Sequence, residues 1–358
     1  MIRLAEPYVD ETIKDKILEV IESKMYVDGK YTREFENLFS RYIGVRNAVA
    51  VSSGTSALYL ILKALNIGKG DYVAVPSFTF ISTVSQVVEV GAKPIFIDVE
   101  YDTMCMDPED LEKKMNRDVK AIIPVHLFGH PADLDPIIEM AEKYGAYIIE
   151  DSAQAHGSRY RGRKVGGIGH IGYFSLYPSK NLGVYGEGGV ITTDDDELAR
   201  RIRRLKNHGI ENGEIVEFGY NFKFNEINAV VALESLKYLD RWNDRRRNIA
   251  EIYNEELSEL DIEIPVEKEY AYHVYNLYTI KTYKREKLIR KLREKGISYG
   301  IYYDKPVHTL DIVKRLFKPP RLPNTERLKD IVLSIPIHPF LRDGEIRYII
   351  DSIREGIS

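Results

Sequence analysis

Short apolar segments alternate with amphipathic ones through the first 150 residues of the chain. The apolar segments are residues 47–52 (NAVAVS), 72–75, 94–99, 121–125 and 147–150. Each is apolar throughout rather than at every second position, which is typical of parallel strands covered by helices on both faces. The segments between them have helical spacing and cover residues 55–65, 80–90, 108–115 and 134–144. Strand–helix repetition at this interval predicts a doubly wound α/β domain with a mostly parallel sheet.

The pattern changes in the last third of the chain. Residues 226–259 predict one or two long amphipathic helices. They are followed by a predicted strand near residues 273–280, a helix over 285–295 and a strand near 298–303. Because this order is typical of an α+β unit, we predict a large domain over residues 1–240 and a smaller C-terminal α+β domain over residues 241–358.

The composition narrows the class of protein. The chain carries 51 Lys and Arg against 55 Asp and Glu, a net charge of −4, so no basic excess indicates a nucleic-acid or membrane partner. Cys105 is the only cysteine, which excludes an intramolecular disulfide and favours a reducing compartment. The start of the chain lacks the apolar core of a signal peptide, and no apolar run reaches the ~18 residues that span a bilayer. We therefore expect a cytoplasmic enzyme with no membrane anchor.

Polar residues follow the first predicted strand at its carboxyl end, where open parallel sheets bind their ligands. The sequence there is Ser52-Ser53-Gly54-Thr55-Ser56, and it leads into a helix. The free N–H groups and the positive dipole at such a helix start attract an anion, typically a phosphate. Taken alone, the same residues are equally consistent with a simple helix cap.

Two further motifs follow later strands. Asp151 comes directly after residues 147–150, and a buried acid there needs a cationic partner unless it is a structural cap. Lys180 follows an apolar strand and precedes a glycine-rich stretch. A desolvated lysine attacks carbonyl groups, whereas most lysines lie on a solvated face.

A phosphate site, an acid for a pyridinium nitrogen and a lysine for an aldehyde together supply each group that pyridoxal 5′-phosphate requires.

These motifs resemble the DegT/DnrJ/EryC1/StrS family of pyridoxal-phosphate-dependent nucleotide-sugar aminotransferases. The resemblance covers essentially the whole chain, and its segments are PSFTF (76–80), PVHLFG (124–129), EDSAQAHG (150–157), the block 175–189, GYNFK (219–223) and residues 303–308. It implies the type I fold of aspartate aminotransferase, with a large doubly wound, mostly parallel sheet domain and a smaller C-terminal α+β domain.

The resemblance also implies a role for individual residues. Lys180 matches the catalytic lysine, which bonds to the cofactor aldehyde and moves a proton between cofactor and substrate. Asp151 matches the partner of the pyridine N1–H, and Gln154 matches the partner of the ring hydroxyl. The other implied cofactor-binding residues are Phe80, which stacks on the ring, the phosphate ligands Thr55, Ser56 and Ser175 beside Gly54, and Asn221, which reaches the phosphate from the neighbouring subunit.

The same resemblance indicates the substrate and the assembly. It implies transfer of an amino group, with glutamate as the expected donor, to a keto group of a nucleotide-diphosphate sugar in amino-sugar or polysaccharide biosynthesis. The sequence of residues 177–183 (YPSKNLG) is more similar to that of relatives that aminate C3 than to that of relatives that aminate C4. Tyr303 and His308 are candidate substrate-binding residues. Asn221 implies a homodimer with shared active sites.

Other functions remain as alternatives. Relatives with histidine in place of the lysine are sugar dehydratases, which Lys180 argues against, and a non-catalytic cofactor-binding regulator would keep the same fold. Residues 167–172 (GIGHIG) spell the dinucleotide motif of an NAD(P)-dependent oxidoreductase, but they precede a strand-like segment where a helix is required. His126 and His130 lie four residues apart, but Gly129 and Pro131 break any helix that would align them, so we predict no metal site.

Overall fold

The structure is a computed structural model that describes residues 1–357. Its helices are α1 (Glu11–Ser23), α2 (Lys30–Ile43), α3 (Gly54–Ala64), α4 (Ile81–Glu89), α5 (Pro108–Lys114), α6 (Leu134–Tyr144), α7 (Asp196–Leu205), α8 (Glu226–Leu236), α9 (Leu239–Leu257), α10 (Arg285–Glu294), α11 (Asp311–Leu316), α12 (Pro323–Ile331) and α13 (Asp343–Ile357). Its strands are β1 (Asn47–Val51), β2 (Tyr72–Pro76), β3 (Lys93–Ile97), β4 (Val119–Ile122), β5 (Tyr147–Asp151), β6 (Arg159–Tyr160), β7 (Arg163–Lys164), β8 (Ile171–Ser175), β9 (Gly189–Thr193), β10 (Ile210–Glu211), β11 (Glu214–Ile215), β12 (Ala271–Tyr272), β13 (Tyr278–Lys281) and β14 (Val332–Ile335).

One large sheet organises the N-terminal two thirds of the described chain. Its strand order is β1-β9-β8-β5-β4-β2-β3, and β9 runs antiparallel to its neighbours while the other pairs are parallel. Val49 and Val51 of β1 pack in the core on the α3 face, whereas Ala48 and Ala50 pack on the opposite face with α2 and α8. Apolar side chains on both faces explain why the strands read as continuous apolar runs. The predicted doubly wound, mostly parallel α/β fold is confirmed.

The antiparallel strand β9 was not among the predicted strands, because it begins in a glycine-rich stretch. Gly189 lies at its start, where a Cβ atom would collide with the carbonyl oxygen of Ser53. Glycine is therefore required where β9 passes the start of α3. This close approach places the end of β1 beside β9, the strand that follows β8.

The C-terminal part contains helices and a small sheet, but one predicted strand is wrong. The strand β13 pairs antiparallel with β14, not with residues 298–303. Within 298–303 only Gly300 pairs, through a single bridge to Ser334, and the chain then leaves the sheet. Its departure allows Tyr303 to reach Gln154, which follows β5.

The topology of the large sheet determines where ligands can bind. The strands β1, β5 and β8 end at the same edge of the sheet, as the carboxyl ends of parallel strands do. The predicted boundary at residue 240 falls at the start of α9, and the division into two domains stays a prediction. In residues 1–357, no helix combines the length and the apolar character needed to cross a membrane.

Candidate active site

The predicted anion site lies at the start of α3. Ser53 caps the helix, since its Oγ accepts a hydrogen bond from Ser56 N (3.0 Å) and Ser56 Oγ accepts one from Ser53 N (2.9 Å). A Cβ atom on Gly54 would lie 3.0 Å from Cβ of Ser175, so this turn touches the end of β8. The side chain of Thr55 is exposed, and it makes no hydrogen bond within residues 1–357. The structure thus brings Gly54, Thr55 and Ser175 together, while the Ser56 hydroxyl is engaged in the cap.

Asp151 ends β5 as a buried carboxylate whose hydrogen-bond donors are all neutral. Its Oδ2 accepts hydrogen bonds from the hydroxyls of Tyr173 (2.5 Å) and Thr83 (3.0 Å), and its Oδ1 accepts one from Ala153 N (3.1 Å). Burial raises the pKa of Asp151, although these hydrogen bonds and the charge of Lys180 oppose the rise. A buried carboxylate is costly without nearby positive charge. Oδ1, which accepts a single hydrogen bond, therefore suits a cationic N–H donor such as a pyridinium ring.

Lys180 lies on a tight turn after β8. Its backbone N–H donates to Tyr177 O (2.9 Å), and Gly183 closes the turn because a Cβ atom there would lie 2.6 Å from Pro178 O. Burial lowers the pKa of Lys180 to about 8, and the negative charge of Asp151 acts in the opposite direction. About half of the Lys180 amines are therefore unprotonated at that pH, which suits attack on a carbonyl carbon.

Gln154 links two segments that are distant in sequence. Its Oε1 accepts a hydrogen bond from Phe128 N (2.9 Å), and its Nε2 donates to the Tyr303 hydroxyl (3.2 Å). The Tyr303 ring lies edge-on to Phe78 at 5.9 Å, and burial raises the pKa of its hydroxyl, which stays protonated. The structure thus joins a predicted cofactor residue, Gln154, to a predicted substrate residue, Tyr303.

The remaining predicted residues lie at different depths. Phe80 precedes α4 and is 55% exposed. His308 is only 4% exposed, and its Nδ1 lies 2.5 Å from Oγ of Ser77, which follows β2. Asn221 is exposed, its backbone bridges Asn207, and its side chain makes no hydrogen bond within residues 1–357. Within one chain, the Asn221 side chain therefore makes no hydrogen bond to Lys180, Asp151 or Gln154. The roles of His308 and Asn221 stay predictions.

Sequence reasoning missed two residues that hold Asp151. Tyr173 lies directly opposite Asp151 in the register of β5 and β8, and Thr83 reaches it from α4. Aligning the ends of the two predicted strands would have placed Tyr173 beside Asp151. No comparable signal existed for Thr83, because its position depends on how α4 packs on the sheet.

His156 was also missed as a neighbour of Lys180. Its ring is fully buried, packs on Phe174 with a centroid distance of 5.2 Å, and has no hydrogen-bond partner on either nitrogen. Burial, followed by the charge of Lys180, lowers the pKa of His156 to about 3. The imidazole is therefore neutral across the physiological pH range, and it adds no positive charge beside the Lys180 amine.

The dinucleotide motif at residues 167–172 surrounds a carboxylate of the chain itself. Glu150 Oε1 accepts hydrogen bonds from Ile168 N and Gly169 N, each at 2.7 Å. Its Oε2 accepts from Gly166 N (2.7 Å) and lies 3.0 Å from His126 Nε2. Burial raises the pKa of Glu150, but these hydrogen bonds outweigh burial and hold it below its ordinary value. The amides are thus engaged by Glu150, which argues against a nicotinamide site here.

The two histidines of the predicted loop also have partners in the protein. Nδ1 of His126 accepts a hydrogen bond from Ala132 N (3.0 Å), while Nδ1 of His130 lies 2.7 Å from Pro131 O. Burial lowers the pKa of His130 to about 4, so its ring is neutral. In the described part of the chain, no group of His, Cys, Asp and Glu side chains has the arrangement of a metal site.

Comparison with known proteins identifies a family. A model of the DegT/DnrJ/EryC1/StrS aminotransferase family matches residues 7–354. The chain is 40% identical to dTDP-3-amino-3,4,6-trideoxy-alpha-D-glucose transaminase of Streptomyces venezuelae, over 95% of this chain and 90% of the relative. It is 39% identical to UDP-N-acetyl-3-dehydro-alpha-D-glucosamine 3-aminotransferase of Acidithiobacillus ferrooxidans, over 96% and 95%. It is also 36% identical to a pleiotropic regulatory protein of Geobacillus stearothermophilus, over 99% and 97%.

Solved structures have the same fold. The crystal structure of S. venezuelae DesV in complex with a ketimine intermediate superposes with a TM-score of 0.92, at 39% identity, over 96% of this chain and 93% of that one. The pyridoxal-phosphate form of the putative sugar aminotransferase Spr1654 from Streptococcus pneumoniae superposes with a TM-score of 0.94, at 28% identity, over 99% and 98%.

Proposed function

Since the chain belongs to the DegT/DnrJ/EryC1/StrS aminotransferase family, whose enzymes use pyridoxal phosphate, we propose that it transfers the amino group of glutamate to C3 of a nucleotide-linked 3-keto-sugar. The observation that carries the proposal is the electrostatic interaction of Lys180 with Asp151. The amine of half-buried Lys180, with a pKa of about 8, lies within electrostatic reach of a buried carboxylate. This combination is what a pyridine ring with an aldehyde substituent requires.

The residues present fit the cofactor. Asp151 would hold the ring nitrogen, Gln154 would hold the ring hydroxyl and Phe80 would cover the ring. Gly54, Thr55 and Ser56 at the start of α3, with Ser175 at the end of β8, would bind the phosphate, where free amides and the helix dipole favour an anion. When bound, pyridoxal phosphate carries the amino group from donor to acceptor and stabilises negative charge at the carbon that loses its proton.

Lys180 has the properties of the residue that moves this proton. With a pKa near 8, its amine can accept a proton from the donor carbon and return one to the sugar carbon at neutral pH. The carboxylate of Asp151 is the charged group that acts on this amine electrostatically, while the neighbouring ring of His156 stays neutral.

The choice of C3 rests on two kinds of support. The sequence of residues 177–183 is more similar to that of relatives that aminate C3. The names of two relatives, from S. venezuelae and A. ferrooxidans, also place an amino group or a dehydro group at position 3. Tyr303, which is fixed by Gln154, and His308, which is fixed by Ser77, are the residues that we propose to meet the sugar.

We propose that the active enzyme is a homodimer whose subunits share sites. Asn221 is exposed and makes no side-chain hydrogen bond within its own described chain, so it is free to reach the phosphate bound by a neighbouring subunit. We further propose a cytoplasmic enzyme in which residues 1–240 bind the cofactor and residues 241–358 form the smaller domain.

A panel of substrates tests the reaction. Purified protein is incubated with glutamate and with matched 3-keto and 4-keto nucleotide sugars, and the products are identified by mass and NMR. We expect a 3-amino sugar and 2-oxoglutarate in equal amounts, whereas a 4-amino product would overturn the C3 assignment. Borohydride reduction followed by peptide mapping should place a phosphopyridoxyl group on Lys180, and labelling of a different lysine would contradict the site.

The regulator alternative has one specific observation in its favour, the 36% identity to a pleiotropic regulatory protein. The two functions differ in how the bound cofactor responds to glutamate. An aminotransferase converts pyridoxal phosphate to the pyridoxamine form, with loss of absorbance near the visible region. A non-catalytic regulator would bind the cofactor and leave it unchanged at every glutamate concentration.

A further inference from the structure

Three buried asparagines form a continuous hydrogen-bonded chain beside Lys180. We refer to Asn181, Asn243 and Asn276 as the asparagine chain. Nδ2 of Asn276 donates to Asn181 Oδ1 (2.9 Å), and Nδ2 of Asn181 donates to Asn243 Oδ1 (2.8 Å). The three side chains are 4%, 1% and 6% exposed, so water does not compete for these amide groups. In a buried, low-dielectric site such a chain is rigid when each member has its partner.

The two ends of the chain hold backbone carbonyls of the catalytic segments. At one end, Nδ2 of Asn276 also donates to Ser179 O (3.4 Å), the carbonyl directly before Lys180. At the other end, Nδ2 of Asn243 donates to His156 O (2.8 Å), in the segment that carries Asp151 and Gln154. The asparagine chain therefore connects the turn that contains Lys180 to the loop that follows Asp151.

The three asparagines come from distant parts of the sequence. Asn181 follows the lysine, Asn243 lies on α9, and Asn276 precedes β13. Asn181 Nδ2 makes a further hydrogen bond to Val274 O (3.0 Å), two residues before Asn276. The position of the Lys180 turn is thus set by α9 and by the start of the C-terminal part, not only by the strand from which it leaves.

We propose that the asparagine chain positions the Lys180 turn against the Asp151 loop, so that Asn243 and Asn276 set the geometry and reactivity of the amine without touching cofactor or substrate. This inference rests on the proposed role of Lys180. A carbonyl released from its donor would let the turn move and admit water to the amine. Because small displacements of a reacting group are costly in rate, the effect is expected in the chemical step rather than in binding.

The test compares Asn243→Ala and Asn276→Ala with Asn254→Ala as a matched control. Asn254 lies on the same helix, α9, and accepts a hydrogen bond from the Tyr278 hydroxyl (2.7 Å) outside the asparagine chain. Apo-protein is mixed with pyridoxal phosphate across pH 6 to 10, and the rate of cofactor attachment is followed by absorbance. For the loaded protein, the rate of cofactor conversion by glutamate is then measured against glutamate concentration.

For the wild type, the attachment rate is expected to rise through about pH 8, as the Lys180 amine loses its proton. In Asn243→Ala and Asn276→Ala, the midpoint should rise by about 0.5–1 pH unit, because a better solvated amine regains part of its ordinary pKa. The maximal conversion rate should fall about tenfold, with little change in the glutamate concentration for half-maximal rate. Asn276→Ser keeps one donor and should give intermediate values. Asn254→Ala should lower only the melting temperature.

The results separate this inference from the proposed function. A wild-type protein that attaches no pyridoxal phosphate contradicts the role of Lys180 itself. A wild-type protein that behaves as expected, with Asn243→Ala and Asn276→Ala matching Asn254→Ala in midpoint and conversion rate, overturns the positioning role alone. Circular dichroism establishes that each variant is folded. If one alanine variant does not fold, the remaining variant and Asn276→Ser give the same comparison.

Discussion

The hydroxyl of Tyr173 donates a hydrogen bond to Asp151 Oδ2 at 2.5 Å, between directly opposite residues of the adjacent strands β5 and β8. The two strands therefore fix the orientation of the carboxylate before any ligand binds. Burial raises the pKa of Asp151, and the Tyr173 hydroxyl is the first of the groups that oppose the rise. Tyr173 thus helps to keep the carboxylate charged, as a partner for a pyridinium nitrogen must be.

Replacing Tyr173 with phenylalanine should weaken cofactor binding in a pH-dependent manner. Loss of the hydroxyl removes a donor that lowers the pKa of Asp151, so the pKa should rise further and the carboxyl should protonate at a higher pH. A hydrogen bond to a charged group contributes about 1.5–3 kcal/mol, which corresponds to a Kd for pyridoxal phosphate about 10- to 100-fold higher. Equilibrium titration from pH 5 to 8 should show a greater loss at the acidic end. Tyr144→Phe is the control, because the Tyr144 hydroxyl makes no hydrogen bond within residues 1–357, and equal Kd values in the two variants would contradict the role of Tyr173.

Replacing Asp151 with asparagine should lower the pKa of Lys180. Burial depresses this pKa and the charge of Asp151 opposes the depression, so removal of the charge leaves burial unopposed. The pH midpoint for cofactor attachment to the apo-protein should therefore move below about 8. Amino transfer should also fall more than substrate binding, because the ring nitrogen has lost its anionic partner. A midpoint that moves upward would show that Asp151 does not act on the Lys180 amine.

The carboxylate of Glu150 should contribute more to stability than to catalysis. Replacement by glutamine sets an NH₂ group against the amides that now donate to the carboxylate, and breaking such a buried charged site typically costs about 3–5 kcal/mol. The pKa of Glu150 in the folded protein is held below its ordinary value of 4.5. The contribution of Glu150 to the free energy of unfolding is therefore fully present above pH 4.5, and it is lost as the pH falls through the folded-state pKa. Denaturant unfolding of the apo-protein at pH 7 and pH 4 should show a large difference between wild type and Glu150→Gln at pH 7 and a smaller one at pH 4. Glu142→Gln, at an exposed position, serves as the control.

The sequence predicted elements wherever local pattern determines structure. The five apolar strands and the motifs at their carboxyl ends follow from residues that are neighbours in sequence, and Lys180 and Asp151 were identified as candidates on that basis. The strand β9 was missed because its glycine at position 189 is explained only by the close approach of Ser53. The predicted strand at residues 298–303 was wrong because β14, which is distant in sequence, pairs with β13 instead.

The supporting residues of the site were not predictable for the same reason. Thr83 contacts Asp151 across 68 positions of sequence, and Asn243 contacts Asn181 across 62. Each is an ordinary polar residue in a helix, with no local feature that distinguishes it from its neighbours. Only the packing of α4 and α9 against the sheet edge gives these side chains a partner.

Mixing two inactive variants should restore activity if the active sites are shared between subunits. Lys180→Ala removes the amine from its own site, whereas Asn221→Ala removes the proposed phosphate ligand from the partner's site. In a mixed dimer, the site that retains Lys180 receives Asn221 from the other subunit and is complete. Random exchange makes about half of the dimers mixed, with one complete site in each, so activity should return to about a quarter of the wild-type value. Co-refolding or subunit exchange at equal concentrations, followed by an amino-transfer assay, measures this recovery. If Asn221 served its own subunit instead, the mixed dimers would contain no complete site, and mixing would leave activity at the average of the two variants.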